Sequence, residues 1–241
     1  MLLGILFIFN QSACCGAIPP PKPTEQDNLR HLIQHINDST VAILTQTEDG
    51  WRPSCTGVWI NETSILTAAH CIEPDEDLMT DQTIIIGSRA HYAVQKEVRG
   101  LGENPSSVHL AVVVAYDHSH DLAMLRVVVE DYSPKHDNAI LATSVPVMGD
   151  KVHMVGHIHG LYYSYTTGVV SAYRVNIPQV DKAGPFIQCS MPLWHGNSGG
   201  GGFNDAGELI GIADFMAPAP HIGFLIAESS VRQFLFDHRK D

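Results

Sequence analysis

Trp194-His195-Gly196-Asn197-Ser198-Gly199-Gly200 sets a serine in a run of glycines, where its hydroxyl and the neighbouring backbone N–H groups stay uncovered. A serine that attacks a carbonyl needs room for the substrate on one side and donors for the developing oxyanion on the other. Gly196 and Ser198 are the candidate N–H donors. A glycine-rich hairpin turn with an incidental serine has the same composition, so this stretch alone does not decide between nucleophile and turn. Serine is also a weak nucleophile at neutral pH without a base, and the base needs a group that holds it in one tautomer. Candidates for both lie upstream. Ile65-Leu66-Thr67-Ala68-Ala69-His70-Cys71 ends an apolar, strand-like run in a histidine, and Asp121-Leu122-Ala123-Met124-Leu125 opens another apolar run with an aspartate.

In the order His70, Asp121, Ser198, the three segments resemble those of the chymotrypsin-like (trypsin-fold) serine peptidases, over roughly residues 41 to 238. The resemblance implies that Ser198 is the nucleophile, that His70 takes its proton and returns it to the leaving amine, and that Asp121 accepts from the other ring nitrogen of His70. It implies an oxyanion hole from the N–H groups of Gly196 and Ser198. Asp117 is the rival for the aspartate role, but the family's aspartate directly precedes a Leu-Ala-x-Leu strand, found here at 122 to 125. In the family a disulfide flanks the catalytic histidine, which implies a Cys55–Cys71 bridge pinning the histidine loop. Cys189 then has no evident partner and reads as a small buried hydrophobe.

Composition bounds these readings. With 241 residues and 44% hydrophobic content, the chain can bury one large core or two small ones. Fourteen basic against 26 acidic residues give a net charge of −12, which argues against a nucleic-acid partner and against attraction to an anionic membrane surface. No internal repeat is apparent.

Leu2 to Phe9 is apolar, too short for a comfortable span and followed by small residues, so residues 1–17 read as a signal peptide or as a membrane or lipid anchor. Two features leave its processing open. No Lys or Arg precedes the apolar run, and Gln11-Ser12-Ala13-Cys14 is similar to a bacterial lipoprotein site with Gln11 where leucine is usual. Membrane contact is expected only through this segment. Residues 18–26, with Pro19-Pro20-Pro21-Lys22-Pro23, form a stiff linker. The peptidase domain is expected over 27–241.

From Thr24, Leu29, Leu32, Ile33 and Ile36 recur at helical spacing, and Thr24 or Asp27 can cap a short amphipathic helix. The period then switches to strands at 41–44, 56–60, 64–67, 83–86, 93–98, 109–115, 122–129, 151–155, 162–173, 186–190 and 209–214. Many short strands between Gly, Asn, Asp and Pro turns predict an all-β barrel or sandwich. The resemblance narrows this to two six-stranded Greek-key barrels, about 41–130 and 140–228, with a C-terminal helix at about 229–238.

The segments around Ser198, from Gly149 through Ala172 and at 222–226 look like bacterial-type peptidases, nearest the high-temperature-requirement family and next the glutamyl endopeptidases. No PDZ module is expected before Asp241. Asn197 stands where digestive peptidases carry an aspartate that pairs with a newly cut N-terminus, so that activation switch is expected to be missing. Gly201 replaces the proline expected after the second glycine, which predicts a looser loop. The resemblance assigns the primary specificity pocket to Pro192, Leu193, Ala213, Phe215 and Ile222, an apolar set that predicts cleavage after small or medium apolar residues. Asp214 upsets that assignment if the register slips by one.

No cofactor and no metal is expected. His118, His120, His157 and His159 are common loop histidines unless three or four ligands converge, and Glu73, Asp75, Glu76, Asp77 and Asp81 read as a solvated acidic loop rather than a calcium site. Asn37 and Asn61 stand in glycan acceptor patterns, relevant only in a eukaryotic host. Two function classes stay open: a secreted serine endopeptidase acting on polypeptides, and a peptidase-fold binding protein that no longer cuts. The sequence leaves oligomeric state undetermined.

Overall fold

The computed structural model describes residues 23–47, 50–72, 92–95, 108–127, 136–178, 180–218 and 221–238. The leader, the acidic loop and the strand expected at 83–86 lie outside these residues. Helix α1 (Glu25–Ser39) begins on a capping box: Thr24 Oγ1 accepts from the Asp27 N–H, and the Asp27 carboxylate accepts from the Thr24 N–H. The chain turns extended at Thr40 and enters the first barrel.

That barrel is closed, in the order β1 (Thr40–Thr47), β2 (Gly50–Trp59), β3 (Ser64–Ala68), β6 (Leu122–Val127), β5 (Val108–Asp117), β4 (Tyr92–Gln95). Its interior holds Val41, Ile43, Trp59, Ile65 and Leu125, each no more than 1% exposed. All five residues of β3 are buried, which is why its apolar run shows no alternation. The bridge between Cys55 and Cys71 ties β2 to the turn after β3.

In the second barrel, β8 (Lys151–Gly156), β9 (Ser164–Arg174), β10 (Phe186–Cys189), β13 (Gly223–Ala227), β12 (Glu208–Met216) and β11 (Gly201–Phe203) pair in that order, and β11 pairs back onto β8. A short β7 (Ile140–Leu141) adds to β12 in parallel. Strand β11 runs through the glycines expected to loosen the loop. Gly201 and Gly202 pair with Ile212 and Gly211, so backbone hydrogen bonds hold what side chains do not. Strands β7 and β11 carry too short or too glycine-rich a pattern to appear among the sequence's strand candidates, and β13 figures there only as a family-like segment at 222–226.

One apolar cluster joins the barrels. Val58, Leu66 and Leu122 from the first meet Phe203, Ile212 and Ile226 from the second, with Ile36 of α1 and Val231 and Phe234 of α2 (Glu228–Asp237) in the same cluster. The seam is therefore a packed hydrophobic contact, with a polar crevice along one edge. Cys189 is buried in the second barrel, and burial pushes its thiol up to about 11, out of reach of thiolate chemistry at neutral pH.

Replacing both Cys55 and Cys71 by alanine should cost roughly 3 kcal/mol of stability through the freed loop. Denaturant unfolding with and without reductant measures it: the wild type should lose that amount on reduction and the double variant nothing further.

Candidate active site

Strand register brings the first two residues together. In the antiparallel pair of β3 and β6, Ala68 lies opposite Leu122, so the residues just beyond β3 and just before β6 share one end of the barrel. His70 sits there in a 3₁₀ turn (Ala69–Cys71), and Asp121 precedes β6 with a left-handed φ of 55° that aspartate tolerates better than most residues. The backbones meet as well: the Ala69 N–H donates to the Asp121 carbonyl at 2.9 Å.

Asp121 Oδ2 lies 2.6 Å from His70 Nδ1, and Oδ1 accepts from the His70 N–H at 2.7 Å. Oδ2 also accepts from Lys182 Nζ at 2.6 Å. The same ammonium donates to Asp214 Oδ1 at 2.6 Å, and that oxygen lies 3.9 Å from His70 Nδ1. Burial alone would raise Asp121. The hydrogen bonds from His70 and Lys182 outweigh it and hold the carboxyl well below the usual carboxylate range. Asp214 goes the other way, raised by burial and by the neighbouring Asp121, with Lys182 opposing. Lys182 itself is raised, the two carboxylates overcoming its own burial. Asp117 does not compete for His70; its carboxylate is engaged by Ser119 and His120.

Ser198 reaches the same crevice from the second barrel, in a segment clamped by both. Thr56 donates its N–H to the Ser198 carbonyl at 2.9 Å and its hydroxyl to the Gly196 carbonyl at 2.6 Å, while the Gly199 N–H donates to Ala213 at 2.7 Å. Gly199 has φ +81°, and a Cβ there would lie 2.0 Å from Thr67 Oγ1; at Gly196, φ +97°, it would lie 2.1 Å from the His157 carbonyl oxygen. Neither position accepts a side chain. The His195 carbonyl is turned away to accept from the His159 N–H, and among the described residues the N–H groups of Gly196 and Ser198 have no partner. The Ser198 hydroxyl points to the Asp214 carbonyl at 3.4 Å; among the described residues no hydrogen bond joins it to His70.

His70 and Ser198 line a cleft of about 400 Å³. Of the residues assigned to the specificity pocket, Leu193, Ala213 and Phe215 line the cleft, whereas Pro192 and Ile222 lie outside its lining. Pro192 is exposed, and Ile222 packs against the cluster at the seam. Residues outside the sequence-based pocket assignment complete the wall: Met216, Trp194, His195, Asn197 and, at the charged end, Lys182 and Asp214, the last being the residue a one-place register slip would bring in. Asp214 faces the crevice because β12 bulges there. Ala213 pairs with Leu225 and Phe215 with Phe224, leaving Asp214 as the extra residue. Asn197 is 1% exposed, and among the described residues neither of its amide atoms has a partner. A neutral amide tolerates that position far better than an aspartate without a counter-charge.

The loop histidines scatter. His118 stacks on Tyr116, His120 bonds Asp117, His157 is fully buried and His159 lies beside Trp194. No group of three metal-ligating side chains among the described residues includes any of them.

The trypsin-like peptidase domain family matches residues 55–212, from β2 to β12. The chain belongs to that family. The peptidase domain is 30% identical over 189 residues to the chloroplastic Protease Do-like 2 of Arabidopsis thaliana, covering 76% of this chain and 27% of the relative. It is 32% identical over 152 residues to a probable periplasmic serine endoprotease DegP-like of Pseudomonas savastanoi, covering 63% of this chain and 29% of the relative. This chain thus spans less than a third of both. Its fold is similar to the crystal structure of a serine endoprotease from Yersinia pestis, with a TM-score of 0.65 and 22% identity over 90% of this chain and 68% of that one.

His157 gives the peptidase domain an acid limit. Its Nδ1 accepts from the Tyr163 N–H, and burial lowers its pKa from 6.5 to about 3. The unfolded chain takes up this proton below about 6.5 while the folded one does not, so stability falls as pH drops from there towards 3. The loss is up to about 5 kcal/mol. Urea midpoints across that window should fall less steeply in His157→Gln than in wild type; equal slopes would contradict the burial assignment.

Proposed function

We propose that the peptidase domain is a serine endopeptidase in which Ser198, His70 and Asp121 form the catalytic triad. The observation that carries this reading is the His70–Asp121 pair opening onto the same crevice as a clamped serine. In this reading the Ser198 hydroxyl leaves the Asp214 carbonyl and turns towards the imidazole. His70 accepts the hydroxyl proton as Oγ attacks the scissile carbonyl, and the unpartnered N–H groups of Gly196 and Ser198 receive the oxyanion. The imidazolium protonates the leaving amine, and water then releases the acyl group by the reverse steps. Loss of one oxyanion donor in such sites costs about 10²–10³ in rate.

Leu193, Ala213, Phe215 and Met216 make the cleft wall beside the nucleophile apolar, which supports cleavage after small or medium apolar residues. The apolar leader, the Cys55–Cys71 bridge and the periplasmic and chloroplastic relatives support a location outside the cytoplasm. A second reading, a peptidase-fold binding protein, draws on the Ser198 hydroxyl being directed to Asp214 instead of His70.

A fluorophosphonate probe separates the two. Labelling of the wild type and not of Ser198→Ala is the expected result, and a folded wild type that stays unlabelled favours the binder. In a fluorogenic peptide library, the fastest turnover should follow Ala, Val or Leu; preference for Arg, Lys or Glu would overturn the pocket assignment.

A further inference from the structure

Two carboxylates and one ammonium make a buried ionic cluster that a triad does not require. The side chain of Asp214 is wholly buried, that of Asp121 is 3% exposed and that of Lys182 is 28% exposed. Two carboxylates this close in a low-dielectric site cannot both keep their charge without a cation between them. The Lys182 ammonium supplies it, at 2.6 Å from each. Its placement is built into the fold. The Ala183 N–H donates to the Ser119 carbonyl at 2.7 Å, tying the segment before β10 to the turn that leads into Asp121. The Lys182 ammonium also lies 5.9 Å from the centre of the Phe215 ring, next to Asp214 on the bulged strand.

We propose that Lys182 and Asp214 act as a pair of positioning residues for the His70–Asp121 couple, the ammonium fixing Asp121 Oδ2 and the second carboxylate cancelling the ammonium's charge at His70. This rests on the triad reading above. With Lys182 alone, the negative charge that favours the imidazolium would be neutralised. With Asp214 alone, the second carboxyl would take a proton and donate it to Asp121, competing with His70 for the same oxygen. Asp214 Oδ2, buried and without a donor among the described residues, stands ready for that competition. Together the pair adds an anchor and leaves the net charge behind the imidazole at that of one aspartate.

The titratable groups facing His70 are Asp121 ahead of β6, Asp214 on β12, Lys182 ahead of β10, and His195 across the cleft; Asp117 and His120, on the adjoining turn, are paired with each other. Three variants separate their roles. Lys182→Met should lower the phosphonate labelling rate by about 10- to 100-fold, the factor that corresponds to one charge-assisted hydrogen bond. Asp214→Asn should also slow labelling, because the ammonium's charge beside His70 is no longer cancelled by a second carboxylate. Lys182→Met with Asp214→Asn should recover much of the loss, since the second carboxyl that would take a proton and compete with His70 for Asp121 is gone and no charge is left over.

The deciding readout is the downfield proton NMR resonance of His70 Nδ1–H in the resting protein. It should be lost or shifted upfield in Lys182→Met and restored in the double variant. A folded Lys182→Met that keeps the wild-type resonance and labels within about twofold of wild type would overturn the proposal. So would a folded double variant without the resonance, which also decides the matter if the single variant does not fold. The resonance needs no turnover. If wild type and Ser198→Ala react alike with the phosphonate, the peptidase reading fails, and the resonance still judges Lys182 and Asp214 by themselves.

Discussion

Everything in the crevice depends on keeping one negative charge, on Asp121, out of water. A carboxylate at 2% exposure is costly unless its oxygens are fully engaged. Asp121 meets that condition with donors from the His70 backbone, the His70 ring and Lys182. The first two come from one residue, so charge burial and imidazole orientation are the same event. Tethering β2 to the 3₁₀ turn by the Cys55–Cys71 bridge and pairing Ala69 with the Asp121 carbonyl limit how far the two can separate. The left-handed φ of Asp121 fits this picture: the surrounding hydrogen bonds over-determine a backbone conformation that would be unfavourable in isolation.

The serine side works by a different principle, close backbone approach. Thr56 of the first barrel holds two carbonyls of the segment that carries the serine, and Ala213 of the second holds its Gly199 N–H. The segment can sit in this clamp only because Gly196 and Gly199 present no Cβ to the His157 carbonyl and Thr67. Its carbonyls are spent on the barrels, leaving the N–H groups of Gly196 and Ser198 directed elsewhere. The apolar cluster that includes Leu66, Leu122 and Ile212 keeps the two barrels at the separation this clamp needs.

What the sequence made legible follows the range of each signal. Local patterns read well: the Thr24 cap, the all-apolar run of β3 and the aspartate heading β6 each depend on a few neighbouring residues. Glycine-rich β11 and two-residue β7 carry no side-chain period and are visible only through their partners. Lys182 and Asp214 show the deeper limit. Lys182 sits in a segment without regular structure, ahead of β10, so no periodicity could orient it. Asp214 sits in a strand whose alternation breaks at that residue, because the bulge between Ala213 and Phe215 re-aims it. A one-residue slip was the specific weakness of the pocket assignment, and the bulge is its physical form. It brings both Ala213 and Asp214 to the cleft, where strict alternation would have allowed one.

That bulge also explains how an apolar cleft coexists with a charged end wall. Leu193, Ala213, Phe215 and Met216 remove water from one side of the crevice, which strengthens any electrostatic interaction next to them. A lone ammonium there would attract acidic substrate side chains, and a lone second carboxylate basic ones. Bound to each other at 2.6 Å, Lys182 and Asp214 present neither. The charge left over is that of Asp121, and it is aimed at His70. On the proposed peptidase reading, the cleft carries its ionic groups with no net charge beyond that of Asp121, which supports selection among substrate side chains by size and apolar fit.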